Sequence, residues 1–557
     1  MFFPLLQVVG GENLDGDKLE MGKLGYLVEG IESIGIPMTI TTVLSIMIFF
    51  FVLKGIVYYA NSIYKVIIQQ LFVKKIRIEL LRNLSLMSFK RFTVSDVGRI
   101  QNTMSVEVSR LSGAFRSYFS AIQSLIMLIV YMTFAFVLDS KFALMVSCGG
   151  VLTHFLYKLV NRYTVVASRK LTSFGNIYQG QLIQLVGFFK YLKATGKVQV
   201  YSKQLEKSIV DIEDSNRRLG FWASITEAVR EPMLVIIISI VILIQVHYFG
   251  GNLGAMLISL LFFYRALTYL VGMQQNWNAF LAAYGSLENL KDFQKILKNN
   301  REQDGSIEMK KFNHKIELNG VNFWYDETTI LKNINLKISV KESIAFVGES
   351  GSGKTTLVNL ISGLISEDEG DLIIDGIPLK EIKKESYQNR IGYVSQDPVI
   401  FNDTIFNNIT FWAKKTPDNI NRFRKSIEQA SLTDFLKELS EGEDTMLGNN
   451  GINLSGGQKQ RISIARELFK DIDILILDEA TSALDSEIER EIQQSIESLQ
   501  GKYTILIVAH RLSTVRNVDK LIYMHKGMIE KTGGFDELFQ NHPKFKKMVE
   551  LQGLGLN

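Results

Sequence analysis

A chain of 557 residues exceeds one ordinary domain and points to two or more. Its net charge of +5, from 62 basic and 57 acidic residues, is small for that length and gives no case for nucleic acid as a partner. The single cysteine, Cys148, excludes an intrachain disulfide and, set in an apolar run, reads as a small buried hydrophobe rather than a reactive thiol.

The apolar residues are concentrated in the first half. Met1 to Val9 is apolar but too short to span a bilayer, lacks the charged start and cleavage site of a signal peptide, and is followed by Gly10, Gly11 and an acidic stretch from Glu12 to Glu20. It reads as the outer end of a preceding helix, the alternative being a short interfacial segment. A crossing helix needs about 20 apolar residues. Met38–Tyr64, Tyr118–Leu138, Phe142–Val160 and Pro232–Phe249 meet that test. A fifth stretch, Leu253–Leu281, is more amphipathic and holds Arg265 and Gln274. Lysine and arginine collect between Lys65 and Arg116 and between Lys158 and Arg218, whereas Asp139-Ser140-Lys141 and Gly250-Gly251-Asn252 are tiny turns. Basic connections lie inside, so the second half is expected in the cytoplasm of a multi-pass protein of the cytoplasmic (inner) membrane.

In that second half, strand-like Ser343–Val347 runs into Gly348-Glu349-Ser350-Gly351-Ser352-Gly353-Lys354-Thr355, followed by a helical run from Thr356. Such a glycine-rich loop turns backbone N–H groups and a helix N-terminus toward phosphate oxygens. Lys354 can reach the β and γ phosphates and Thr355 can ligate magnesium. An apolar strand, Ile472–Leu477, ends at Asp478-Glu479. Asp478 suits magnesium, and Glu479 suits a general base that polarises water. A further strand, Tyr503–Val508, ends at Ala509-His510, where the histidine can hydrogen-bond a γ-phosphate. Between them, Ser455-Gly456-Gly457-Gln458 opens a helix and offers a second anion-binding surface.

This ordered set resembles the ATP-binding-cassette superfamily, over essentially the whole chain. The resemblance implies an all-α polytopic transmembrane domain at 1–292, a linker at 293–306, and an α/β P-loop ATPase domain at 307–557. It implies ATP and Mg2+ as cofactors. Tyr325 matches the aromatic that stacks on adenine, with a strand-end surface tyrosine as the alternative. Gln396 matches the residue that touches magnesium and reports nucleotide state. Ser482-Ala-Leu-Asp485 matches the loop that crosses between subunits. ATP is then sandwiched between the Lys354 loop of one subunit and Ser455–Gln458 of another, in a homodimer or a heterodimer. One departure stands out: Thr445-Met-Leu-Gly448-Asn449-Asn450-Gly451 carries Asn449 where family exporters often have an acid.

The domain order resembles the exporter branch, with six spans per subunit and with coupling elements expected around Val94–Arg99 and Gly175–Gln184. Within that branch the chain is similar to lipid-linked oligosaccharide flippases. That similarity rests on Lys54 in the first full span, Arg230-Glu231-Pro232 opening the fourth, and Tyr264-Arg265 in the fifth. Intramembrane charges usually face a polar cavity or a partner, and these could hold the pyrophosphate of a lipid-linked sugar. The alternatives are pairing of Arg230 with Glu227 or Glu231, and snorkelling of Lys54. A lipid or lipid-linked substrate is the first expectation and export of peptides or amphipathic drugs the second. A nucleotide-gated membrane protein is the third, against which Asp478, Glu479 and His510 argue.

Overall fold

The computed structural model describes residues 39–138, 140–249, 253–479, 493–509 and 511–552. Met1–Val9, Asp139, the turn at 250–252, the 482–485 segment with Asp485, and His510 lie outside the described residues. The chain forms two units, one holding the residues before Ser88 together with Val94–Arg301, the other Ser88–Thr93 together with the residues from Glu302.

The first unit is helical: α1 (Ile40–Ser85), α3 (Val97–Asn102), α4 (Val108–Leu138), α5 (Ser140–Gly187), α6 (Phe189–Ala194), α7 (Val198–Ala228), α8 (Arg230–Phe249), α9 (Leu253–Leu281) and α10 (Tyr284–Asn299). The short helix α2 (Phe89–Thr93) belongs to the second unit. Among the described residues, Ile40–Ser85 and Val97–Val137 are long and apolar enough to cross a membrane. The other three expected spans fall within α5, α8 and α9, and Cys148 on α5 is exposed rather than buried as expected, because its side of the helix meets no neighbour among the described residues. Helix α4 packs along α9, and α5 along α7.

Apolar helices gain little from burying one another in lipid, so interhelical hydrogen bonds set their register. Gln274 donates to Thr153 at 2.9 Å, and Asn278 donates to Asn161 and Thr164 at 3.0 and 2.9 Å. Near the start of Val97–Val137, the fully buried carboxylate of Glu107 closes a one-turn π-helix, Thr103–Glu107. It accepts from Asn102 at 3.0 Å, Arg110 at 3.3 Å and Thr172 at 3.3 Å. A buried charge with three donors is compensated.

Both segments expected from sequence to couple the two halves belong to the helical unit. Val94–Arg99 and Gly175–Gln184 pack on each other inside the helical unit, so closely that a Cβ on Gly98 would overlap the Gly180 backbone. The six residues just before, Ser88–Thr93, sit with the ATPase unit instead. Phe89 packs against its core, and Lys90 Nζ pairs with Asp368 Oδ1 at 2.9 Å while lying 4.7 Å from the Phe323 ring centroid. Asp368 in turn accepts the backbone N–H of Trp324 at 2.9 Å.

The second unit carries two sheets. Strands β1 (Lys315–Tyr325), β2 (Thr328–Ser339), β4 (Glu369–Ile374) and β5 (Ile377–Pro378) form an antiparallel sheet in the order β2-β1-β4-β5. Strands β3 (Ser343–Gly348), β6 (Ile391–Val394), β7 (Ile474–Asp478), β8 (Thr504–Val508), β9 (Lys520–His525) and β10 (Met528–Gly533) form the other, in the order β10-β9-β3-β8-β7-β6. Pairing is parallel from β9 to β6, and β3, β7 and β8 are buried throughout, as continuous apolar runs in a covered parallel sheet should be. The register aligns Phe346 with Val508 and Val508 with Asp478. The carboxyl ends of three neighbouring strands therefore line up at one edge, the usual place for a ligand in such a sheet.

Candidate nucleotide site

The loop from Gly348 leads into α11 (Lys354–Ile361), whose N-cap is Gly353 at φ +97. A side chain there would be strained and would press on Leu331, so only glycine lets the backbone turn into the helix with its N–H groups facing outward. Residues 350–356, Ile330 and Glu479 enclose a cavity of about 300 Å³. Lys354 is buried, 5% exposed, and its ammonium donates to the carbonyls of Gly348 and Glu349 at 2.9 Å each. Burial lowers its pKa, and the negative charges of Glu479 and Asp478 oppose that shift. A phosphate chain would supply the counter-charge that two carbonyl dipoles only approximate. The Ser352 hydroxyl is buried with no hydrogen-bond partner among the described residues, a donor ready for an anion.

Thr355 Oγ1 donates to Asp478 Oδ1 at 3.4 Å. These are hard oxygen ligands, the kind magnesium takes. Asp478 is also held from behind, where the Tyr393 hydroxyl donates to its Oδ2 at 3.0 Å and lies 3.2 Å from Asn359 Oδ1. Burial first, and the Asp478 charge second, raise the Tyr393 phenol well above its ordinary pKa, so it stays a donor. Tyr393 and Asn359 were not singled out from sequence. The only available signal was that Tyr393 stands three residues before Gln396.

Glu479 sits at φ +52, unusual for a non-glycine residue, with its N–H donating to the Val508 carbonyl at 3.1 Å. Such backbone strain gathers at functional positions. Gln396 Nε2 donates to Glu479 Oε2 at 2.7 Å. The structure thus brings together the phosphate loop, Thr355, Asp478, Glu479 and Gln396.

Tyr325, the Ser455–Gln458 segment and the Asn449 turn do not line the cavity. Tyr325 ends β1 half-buried, edge-on to Phe323 at 4.9 Å, and burial raises its phenol pKa. Ser455, Gly456, Gly457 and Gln458 open helix α12 (Gly456–Phe469) through a capping box. Ser455 Oγ accepts from the Gln458 N–H at 3.2 Å, and Gln458 Oε1 accepts from the Ser455 N–H at 2.9 Å. Ser455 and Gly456 remain exposed. Asn449 starts an exposed 3-10 turn whose Asn450 carbonyl accepts from Lys459 at 2.7 Å.

Among the basic residues of the spans, Lys54 and Arg265 are exposed, and Arg230 is half-buried with Nε lacking a hydrogen-bond partner. Lys54 Nζ lies 5.8 Å from the Phe51 ring centroid. None of the three forms an ion pair among the described residues, so the alternative pairing of Arg230 with Glu227 or Glu231 does not form.

Residues 21–274 match the family described as the ABC transporter transmembrane region, and residues 331–482 the ABC transporter family. The chain is 30% identical over 542 residues to the ATP-dependent lipid A-core flippase of Hahella chejuensis, covering 95% of this chain and 90% of that protein. It is 42% identical over 251 residues to the protein of that name from Syntrophus aciditrophicus, and 43% identical over 241 residues to that from Desulfotalea psychrophila. These two matches span 45% and 43% of this chain, and 41% and 42% of those relatives' lengths. Its fold is similar to a bacterial Atm1-family ABC exporter solved with ATP bound, with a TM-score of 0.80 at 20% identity over 99% of this chain and 95% of the other.

Proposed function

The chain belongs to the ABC transporters as an exporter-type half-transporter, and on that premise we propose that it flips a lipid-linked, anionic substrate across the cytoplasmic (inner) membrane, as a homodimer driven by ATP. The observation that carries the substrate class is the set of unpaired intramembrane cations. Arg230, Arg265 and Lys54 carry no counter-ion among the described residues, and a charge held in apolar surroundings calls for an anion. A relative matched over nearly its full length is named a lipid A-core flippase, which supports a lipid substrate.

In this reading Lys354 and the loop amides bind the phosphates of ATP, and Tyr325 stacks on its base. Thr355, Asp478 and Gln396 would hold magnesium, which when bound screens the phosphate charge. Glu479 orients and deprotonates the attacking water. The exposed Ser455–Gln458 helix start, absent from the cavity wall, serves the phosphates of a second copy. His510 and Asp485 complete the site by resemblance alone.

The test is ATPase activity in liposomes with added polyprenyl-pyrophosphate glycans, phosphate-bearing glycolipids or peptides. Arg230→Ala and Arg265→Ala should lose the response to anionic lipid, by about tenfold in the half-stimulating concentration, and keep basal hydrolysis. Full lipid response in both variants, or stimulation by peptides alone, would refute the reading.

A further inference from the structure

The turn between β9 and β10 consists of Lys526 and Gly527, at φ +46 and +82, the paired positive values of a tight hairpin. It is not a free surface loop. The Gly527 N–H donates to the Ser352 carbonyl of the phosphate loop at 3.1 Å, and the Gly527 carbonyl accepts from the Lys332 N–H at 2.8 Å. One residue thus ties the phosphate loop, which grows from the six-stranded sheet, to β2 in the four-stranded sheet. The approach is backbone to backbone: a Cβ on Gly527 would overlap the Ile330 carbonyl oxygen, and one on Gly348 would overlap that of Met524. Ile330 itself lines the cavity, and β2 begins three residues after Tyr325, directly beyond the hairpin turn.

We propose that Gly527 is a positioning residue that fixes the spacing between the Tyr325 hairpin and the phosphate loop, so that tight binding requires a ligand with both a base and a phosphate chain. The inference rests on the reading of Tyr325 as the base-stacking residue. The Lys332 and Ser352 bonds act on opposite partners, and a side chain at Gly527 collides only on the β2 side. Gly527→Ala therefore displaces the hairpin and leaves the N–H bond that supports the loop.

The experiment compares ATP with inorganic tripolyphosphate on the full chain in nanodiscs, by equilibrium binding and by steady-state hydrolysis. Gly527→Ala should weaken ATP about tenfold and tripolyphosphate less than about twofold, with KM for ATP rising while kcat changes little. A glycine inserted between Lys526 and Gly527 slackens the same turn without adding a side chain to collide, and should weaken ATP about threefold with tripolyphosphate unchanged. Equal losses for both ligands, or no loss for either, in the variant that keeps its wild-type melting temperature would overturn the proposal. Tyr325→Ala separates the two ideas. If it leaves ATP binding intact, base stacking itself fails; if it weakens ATP alone while the turn variants do not discriminate, only the role of Gly527 fails.

Discussion

Removal of one oxygen, in Tyr393→Phe, probes how Asp478 is aimed. Tyr393 is half-buried, and its hydroxyl donates to Asp478 Oδ2 at 3.0 Å and sits 3.2 Å from Asn359 Oδ1. Phenylalanine fills the same space, so no cavity arises and the change isolates the polar contact. A hydrogen bond to a charged acceptor contributes about 1.5–3 kcal/mol. For an ATPase unit of roughly this size each kcal/mol moves the melting temperature by about 2–4 °C, so the variant should melt about 3–12 °C lower at neutral pH. A second signature comes from the proton. The phenol pKa is raised by burial and by Asp478, so the folded state holds that proton after the unfolded chain has begun to lose it near pH 10. The stabilisation is complete below about pH 10 and declines at higher pH, by up to about 1.4 kcal/mol per pH unit until the folded phenol also ionises. The gap between wild type and variant should therefore narrow above pH 10. Scanning fluorimetry across pH 7 to 11 reads both effects. A variant that melts within 1 °C of wild type at neutral pH, or a gap that widens in alkali, would show that Tyr393 does not hold Asp478 as described.

Glu479→Gln keeps the shape of the site and removes the base, so hydrolysis should fall by about 10²–10⁴ while nucleotide binding persists; a rate within threefold of wild type would remove Glu479 from that role. Lys90→Glu sets two negative charges against each other at Asp368, which also holds the Trp324 amide. Lipid stimulation of hydrolysis should drop severalfold with basal turnover retained, and an unchanged stimulation ratio in liposomes would show that α2 carries no signal.

The local parts of the nucleotide site could be read from sequence because their chemistry is contiguous. Gly348–Thr355 and Asp478-Glu479 each need only a strand and the residues that follow it. What could not be read depends on pairing between distant strands. Tyr393 meets Asp478 across 85 positions, and only because β6 lies parallel to β7 with Tyr393 opposite Ile476. The coupling segment shows a different difficulty. Within Val94–Arg99, Gly98 serves close helix packing and Asp96 caps α3 through the Arg99 N–H, and neither role shows in the residues alone. The apolar Phe89 next to Lys90 was the available clue, since one side chain enters a core while its neighbour reaches an acid. The lack of an ion pair at Arg230 was not legible, because Glu231 next to it lies on another side of the helix and Glu227 belongs to the helix before.

Ser88–Thr93 belongs to the ATPase unit yet is encoded more than two hundred residues before the rest of it. A fragment beginning at Glu302 is therefore an incomplete protein body. It would bare the apolar patch that Phe89 covers and strip Asp368 of Lys90, leaving an adhesive surface that invites self-association in a preparation meant to be a simple soluble ATPase. Supplying the missing six residues as a free peptide would not restore it cheaply, because the intact chain presents them tethered at both ends, at an effective concentration no dissolved peptide reaches.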